Sequence, residues 1–260
     1  MKIWDLHCHL NAPGTTISAR MDALMRHADR MGIERICLFM GTPWSHHPTP
    51  AILERTNDEI LEVLKTWGDR AFGFVYLNPK YQRESLDELE RCVANGPMVG
   101  VKLWQGWKCS KPEILPIVER AIELQAVFFH HAWLKNREEN PEASTPMELA
   151  ALSARYPQFP MICGHSGGEW ESGFRAIRAQ PQIHAGLGGF DPTAGVVEMA
   201  VRELGPARVI FGSDAWGRSF SSQLGKVLGA DVSDHIKQGI LRDNLRRLLL
   251  PICTAKGMAI

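Results

Sequence analysis

Short apolar runs alternate with amphipathic segments from one end of the chain to the other. Residues 1–10 read as a strand ending in His7-Cys8-His9. Behind it, Ile17, Met21, Leu24, Met25 and Ala28 recur at helical spacing over 16–31, and Gly32 closes that helix. Further apolar runs predict strands over 35–40, 71–77, 98–103, 126–131, 160–165, 182–187 and 208–214. Helices are predicted over 56–67, 85–94, 112–124, 145–156, 170–179 and 191–204. Thr56/Glu59, Ser85/Glu88 and Thr145/Glu148 have the spacing of capping boxes, Gly68 reads as a stop, and Asp191-Pro192 reads as a cap. Ile236, Ile240, Leu241, Leu245, Leu248 and Leu249 give the C-terminal segment one apolar helical face. The pattern is eight strands, each followed by a helix. Strict alternation implies parallel strands and right-handed crossovers. Eight such units in this length imply an α/β fold, a closed (β/α)8 barrel forming one domain over 1–260, rather than an open doubly wound sheet. The thinnest strand is the seventh, Ile183-His184-Ala185-Gly186, which is short and contains glycine.

Composition narrows the function classes. Hydrophobic residues make up 45% and charged residues 22% of 260, the profile of a globular protein. Lys plus Arg equals Asp plus Glu at 29 each, so no global field favours nucleic acid or an anionic membrane. That balance also permits a homo-oligomer. No apolar run has the length of a membrane span, and the first residues lack the pattern of a signal peptide. The six cysteines are scattered without a C-x-x-C pair, which argues against a zinc ribbon or a redox dithiol. Cys8, Cys37 and Cys163 sit in apolar strand-like runs as small hydrophobes, and a reducing cytoplasm is the expected location. The expected partner is a small molecule.

The chemistry gathers at the ends of the strands, where barrel active sites form. Strand one ends at His7 and His9, with Asp5 below them on the same face; two imidazoles at that spacing can chelate one divalent ion. Strand four ends with Lys102, strand five with His130 and His131, strand six with His165 and strand eight with Asp214. A lone histidine of this kind is usually a hydrogen-bonded core residue, but five strand ends supplying ligand-type side chains to one rim point to a metal site. Of His130 and His131 only one can face inward. His130 is assigned inward, because Val127 and Phe129 then face the helices, and His131 becomes a supporting residue. The loops behind the strands hold Trp44, His46 and His47; Trp104, Gln105, Trp107 and Lys108; Trp133, Lys135 and Arg137; Glu169 and Trp170; and Trp216 and Arg218. Trp104, Lys108, Trp133, Lys135 and Arg218 are the candidate substrate-binding residues. Tryptophans there either wall a planar substrate or pack the loops. The cations either hold an anionic substrate by a carboxylate or lie on a solvated surface.

The ordered set Asp5-Leu6-His7-Cys8-His9, Gly100-Val101-Lys102-Leu103, Phe129-His130, Gly164-His165-Ser166-Gly167-Gly168 and Phe211-Gly212-Ser213-Asp214-Ala215-Trp216 resembles the amidohydrolase superfamily of metal-dependent barrel enzymes. Asn244-Leu245-Arg246-Arg247-Leu248-Leu249 is similar to the closing helix of one branch. That branch contains aminocarboxymuconate-semialdehyde decarboxylase, resorcylate-type decarboxylases and lactone hydrolases. The resemblance implies that His7, His9, His130 and Asp214 hold the metal and that His165 is the catalytic histidine. In other branches the counterpart of His165 binds a second ion and a carboxylated lysine on strand four bridges the pair. Lys102 occupies that strand, either carboxylated or as an ammonium, so one ion and two both stay open. Imidazole and carboxylate ligands suit Zn²⁺ and, less selectively, Mn²⁺ or Fe²⁺. The leading reading is a hydrolase of an ester, lactone or amide of a small organic acid, in which metal-bound hydroxide attacks while Asp214 and His165 shuttle protons. The alternatives are a nonoxidative decarboxylase of an aromatic or muconate-type acid, and an inactive barrel that only binds a ligand.

Overall fold

A computed structural model describes residues 1–134 and 141–260. Eight parallel strands lie in the order of the chain: β1 (Ile3–His9), β2 (Ile33–Phe39), β3 (Ala71–Leu77), β4 (Gly100–Leu103), β5 (Val127–Trp133), β6 (Met161–Gly167), β7 (Ile183–Gly186) and β8 (Val209–Ile210). Helices α1 (Ile17–Arg30), α2 (Pro50–Trp67), α3 (Gln82–Leu89), α4 (Leu115–Glu123), α5 (Pro146–Ser153), α6 (Trp170–Ile177), α7 (Val196–Leu204) and α8 (Phe220–Leu228) each follow one strand. Two more, α9 (Asp234–Gln238) and α10 (Asn244–Ala255), end the chain. The result is a single-domain (β/α)8 barrel, as the alternation implies. No helix among the described residues is long and apolar enough to cross a membrane. All six cysteines are free and buried.

The seam between β8 and β1 departs from the regular ladder. β8 is only two residues long, against the seven expected over 208–214. Beyond Ile210 the chain leaves regular strand geometry but still closes the barrel. Leu6 donates to the Phe211 carbonyl (3.1 Å), Asp214 to that of His7 (2.7 Å) and His9 to that of Ala215 (2.5 Å). The Asp5 carboxylate stitches the same seam by accepting the backbone N–H groups of His7 (2.8 Å) and Ser213 (2.9 Å).

Helix starts follow tertiary contacts where these compete with local signals. The Thr145 capping box forms as expected, with its hydroxyl and the Glu148 carboxylate bonded reciprocally to backbone. The other two boxes lie inside helices. Helix α2 begins six residues before Thr56, and Glu59 accepts the Thr42 N–H (2.8 Å) and pairs with Arg20 (3.1 Å). Helix α3 begins at Gln82, and the Ser85 hydroxyl instead donates to the Asn78 carbonyl (2.8 Å). Asp191-Pro192 stays in the loop, and α7 starts behind Gly195 in the left-handed conformation.

Candidate metal centre

The seam delivers three ligand-type side chains to one point at the C-terminal mouth of the barrel. His7 Nε2 and His9 Nε2 are 2.9 Å apart. Both face the same oxygen of Asp214, at 3.3 Å from His7 and 3.2 Å from His9. Ligand atoms of a tetrahedral ion with bonds of about 2.0–2.1 Å stand roughly 3.3–3.4 Å from one another. The three atoms therefore have the spacing of a chelate. His165, on β6, brings a fourth ligand-type atom, which lies within 4.8 Å of those of His7 and Asp214.

Backbone carbonyls set the imidazole tautomers. His9 Nδ1 donates to the Phe39 carbonyl (2.9 Å), and His165 Nδ1 to the Gly188 carbonyl (2.8 Å). A proton fixed on Nδ1 leaves the Nε2 lone pair for the centre, the arrangement that metal-binding histidines use. Burial lowers the pKa of His7, His9 and His165, the last to about 4, so neutral imidazoles are the resting state. For Asp214, burial raises the pKa, but the His9 hydrogen bond and the nearby Lys102 ammonium act the other way, and the net shift is downward, so the carboxylate stays ionised. His165 and Asp214 both have positive φ, 55° and 64°. Each such non-glycine residue stores on the order of 1–3 kcal/mol of strain, which the surrounding seam sustains.

β5 corrects the inward assignment of His130. Phe129 and His131 point into the barrel: the Phe129 ring centroid is 4.9 Å from that of His7, and the His131 ring is 4.5 Å from that of His165. By alternation His130 points outward. Its Nδ1 donates to its neighbour's carbonyl (2.7 Å), and its Nε2 receives the Ser144 hydroxyl (3.4 Å), which itself accepts the Cys109 N–H (2.9 Å). His130 thus ties two loops to the strand, and it is His131 that lines the cavity beside the cluster. Nδ1 of His131 is buried with no hydrogen-bond partner, while its Nε2 meets the Gln105 amide at 3.3 Å. An unpartnered imidazole nitrogen beside a His/His/Asp cluster fits a group designed to hold a cation.

These side chains line a cavity of ≈ 260 Å³ with Trp44, Lys102, Trp104, Gln105, Trp133, Gly189 and Arg218. Lys102 is buried, with its ammonium over the Phe129 ring at 4.1 Å and the Phe39 ring at 4.6 Å. Burial lowers its pKa to about 7, against the pull of Asp214. Gly189 packs against the two catalytic candidates, since a Cβ there would overlap His165 Nδ1 and lie 2.9 Å from Asp214 Oδ2. Among the expected substrate-binding residues, Trp104, Trp133 and Arg218 reach the cavity. Lys108 does not; it turns to Glu148 at 3.7 Å. Lys135 lies outside the described residues. Trp216 packs on His27 and lines a neighbouring cleft, and Trp107 donates to Glu113. His131 and Gly189 carried no separate signal in the sequence: the first is one of an adjacent pair, the second one of 23 glycines.

A family model described as amidohydrolase matches residues 4–250. A search of curated proteins returns no match. Among solved structures, 2,6-dihydroxybenzoate decarboxylase from Rhizobium aligns with a TM-score of 0.75 at 18% identity, covering 96% of this chain and 99% of that one. A dihydroxybenzoic acid decarboxylase from Polaromonas, with bound manganese, aligns at 0.75 and 17% identity over 96% and 97% of the two chains. 4-Oxalomesaconate hydratase from Rhodopseudomonas palustris aligns at 0.75 and 15% identity over 98% of both. At these identities the likeness establishes the fold, whereas the family model spans nearly the whole chain and includes every residue of the cluster, so this chain belongs to the amidohydrolase family of metal-dependent enzymes.

Proposed function

We propose that the chain is a metal-dependent hydrolase of an ester, lactone or amide in a small organic acid. The observation that carries this reading is the meeting of the ionised Asp214 carboxylate with His7, His9 and the neutral imidazole of His165 in one cluster. A divalent ion held by His7, His9, His131 and Asp214 would supply Lewis acidity toward a carbonyl or a water. Asp214, at the cavity wall, accepts a proton. His165, fixed by Gly188 with its Nε2 facing the cavity, passes a proton between solvent and the leaving atom. Lys102 and Arg218 give the cavity positive charge suited to a substrate carboxylate. A volume of ≈ 260 Å³ limits that substrate to about one ring or a short chain.

A second reading, nonoxidative decarboxylation of an aromatic or muconate-type acid, is favoured by one observation. Trp44, Trp104 and Trp133 wall the cavity, with Trp44 edge-on to Trp104 at 5.8 Å and Trp133 stacked on His131 at 5.8 Å. Flat walls of this kind suit a planar ring. Zn²⁺- and Mn²⁺-loaded protein assayed against panels of lactones, esters and aromatic acids, with proton release and CO₂ as separate readouts, distinguishes the two. Acid release without CO₂, abolished in Asp214→Asn with the fold intact, is the expected outcome. CO₂ release from an aromatic acid would transfer the conclusion to the second reading, and turnover surviving Asp214→Asn would remove Asp214 from proton transfer.

A further inference from the structure

The strap Leu187–Phe190, between β7 and α7, touches both proposed catalytic groups. The Gly188 carbonyl fixes His165, and Gly189 packs against His165 and Asp214. What holds the strap itself comes from α8. Lys226 is 7% exposed, and its ammonium donates to the Leu187 carbonyl (2.5 Å) and the Phe190 carbonyl (3.3 Å). It also lies 3.7 Å from the centroid of the Phe190 ring. Gln223, 1% exposed on the preceding turn of α8, donates to the same Phe190 carbonyl at 3.3 Å. Among the described residues no carboxylate lies within ion-pair distance of Lys226. A buried ammonium bonded only to carbonyls and a ring face, with Asp191 and Asp214 acting on it at a distance, is costly, and an aliphatic side chain would remove that cost while leaving the Leu187 carbonyl unpaired. The two carbonyls that Lys226 binds bracket Gly188 and Gly189.

We infer that Lys226, assisted by Gln223, is a positioning residue of the catalytic centre: it clamps the Leu187–Phe190 strap so that the Gly188 carbonyl holds His165 in a single tautomer. The clamp acts through the strap and touches neither the ligand cluster nor the substrate cavity. It rests on the proposed role of His165 as a proton carrier, and it extends that role to a helix outside the site.

The test uses the full chain with ¹⁵N-labelled histidine, comparing wild type with Lys226→Met, a neutral side chain of similar length. In the wild type His165 is expected as one tautomer, protonated on Nδ1. In Lys226→Met the loss of a buried charge and the unpaired Leu187 carbonyl oppose each other, so the thermal midpoint is expected to change little. The His165 signals are expected to show mixed tautomers, and the strap amides, above all Leu187 on the Ile210 carbonyl, to exchange roughly tenfold faster. Lys226→Gln, which retains one donor, is expected to fall between the two. Unchanged His165 signals with strap exchange within about twofold of wild type would overturn the inference and leave Lys226 as a packing residue. If Lys226→Met does not fold, Gln223→Leu carries the same test, with a smaller rise at the same amides expected and no change overturning it. Neither readout needs turnover. A failed substrate screen with a responsive His165 would therefore reject the proposed reaction and keep the clamp, and the converse result would reject the clamp alone.

Discussion

Truncating the two adjacent histidines of β5 should separate fold from metal. His130 is buried and makes two hydrogen bonds, to the His131 carbonyl and to the Ser144 hydroxyl. His130→Ala removes about 1 kcal/mol for each bond, strands the Ser144 hydroxyl and leaves a cavity the size of an imidazole, for a total of roughly 3–4 kcal/mol. At about 2–4 °C per kcal/mol for a domain of this size, the thermal midpoint should fall by on the order of 10 °C. Metal content should stay near wild type, because the outward ring touches none of the cluster. His131→Ala removes a side chain whose Nδ1 has no partner and whose other nitrogen makes one 3.3 Å contact, and the space it vacates joins the existing cavity, so its cost to the metal-free fold should be about half that of His130→Ala or less. Its effect on the ion should be large. Losing a residue that merely orients a ligand costs roughly 10–100-fold in affinity, so losing a ligand should cost at least about 100-fold, or about 2.8 kcal/mol.

Elemental analysis after gel filtration, with competition against a chromophoric chelator, reads the second quantity, and thermal melts with and without chelator read the first. The reasoning predicts opposite phenotypes: His130→Ala unstable but metal-loaded, His131→Ala stable but metal-poor. Loss of metal from His130→Ala with retention in His131→Ala would refute the inward placement of His131. Retention in both would show that β5 contributes no ligand.

Two further outcomes follow from geometry elsewhere. Gly189→Ala and Gly195→Ala both place a Cβ at positive φ, 87° and 84°, but only the first meets other atoms, those of His165 and Asp214; urea denaturation should find Gly189→Ala less stable by a further 1–3 kcal/mol or so, and equal losses would mean that no crowding exists at His165. His184, on β7 away from the centre, has its pKa lowered from 6.5 to about 4 by burial, with Arg247 adding to the effect. The unfolded chain then takes up this proton first as pH falls, so stability is lost from about pH 6.5 down to pH 4. Between pH 7.5 and pH 5 this group should account for about 2 kcal/mol; His184→Gln should show a correspondingly smaller loss in urea titrations, and an unchanged pH dependence would contradict a neutral buried imidazole.

Much of the barrel was legible because several elements are encoded locally: Thr16 caps α1, Thr145 caps α5, and the apolar runs 71–77 and 98–103 end where the ladder of β3 and β4 ends. The parity of β5 was not legible for a physical reason. Strands of a parallel barrel are buried on both faces, so Val127, Phe128 and Phe129 look alike whichever way they point. The orientation is decided by what fills the interior, and Phe129 does so between His7, Phe39 and the Lys102 ammonium. The misread capping boxes have a similar cause. Glu59 and Glu88 have box spacing but serve other partners: Thr42 and Arg20 on earlier elements for one, Asn57 of α2 and the nearby Arg91 for the other. Lys108 was assigned to the substrate because its loop follows β4, and only the fold shows Glu148 within its reach.

Closure of the barrel and assembly of the ligand cluster use the same hydrogen bonds. The Asp5 carboxylate that accepts the His7 and Ser213 N–H groups has its second oxygen buried without a partner, and burial raises its pKa to about 6. The Asp214 N–H that closes the seam on the His7 carbonyl belongs to the residue whose carboxylate meets His7 and His9. Near neutral pH the seam therefore holds two ionised carboxylates beside uncharged imidazoles, an arrangement that the chain compensates only in part, through Lys102 acting on Asp214. A divalent cation at the cluster would offset this charge most directly at Asp214, in direct contact, and at longer range at Asp5. β8 and β1 are joined by separate backbone bonds and one isolated bridge rather than by a regular ladder, so the seam is the irregular joint of the sheet. Metal binding should accordingly stabilise this joint more than any other part of the barrel, linking the ion to the closed fold as well as to the chemistry at its mouth.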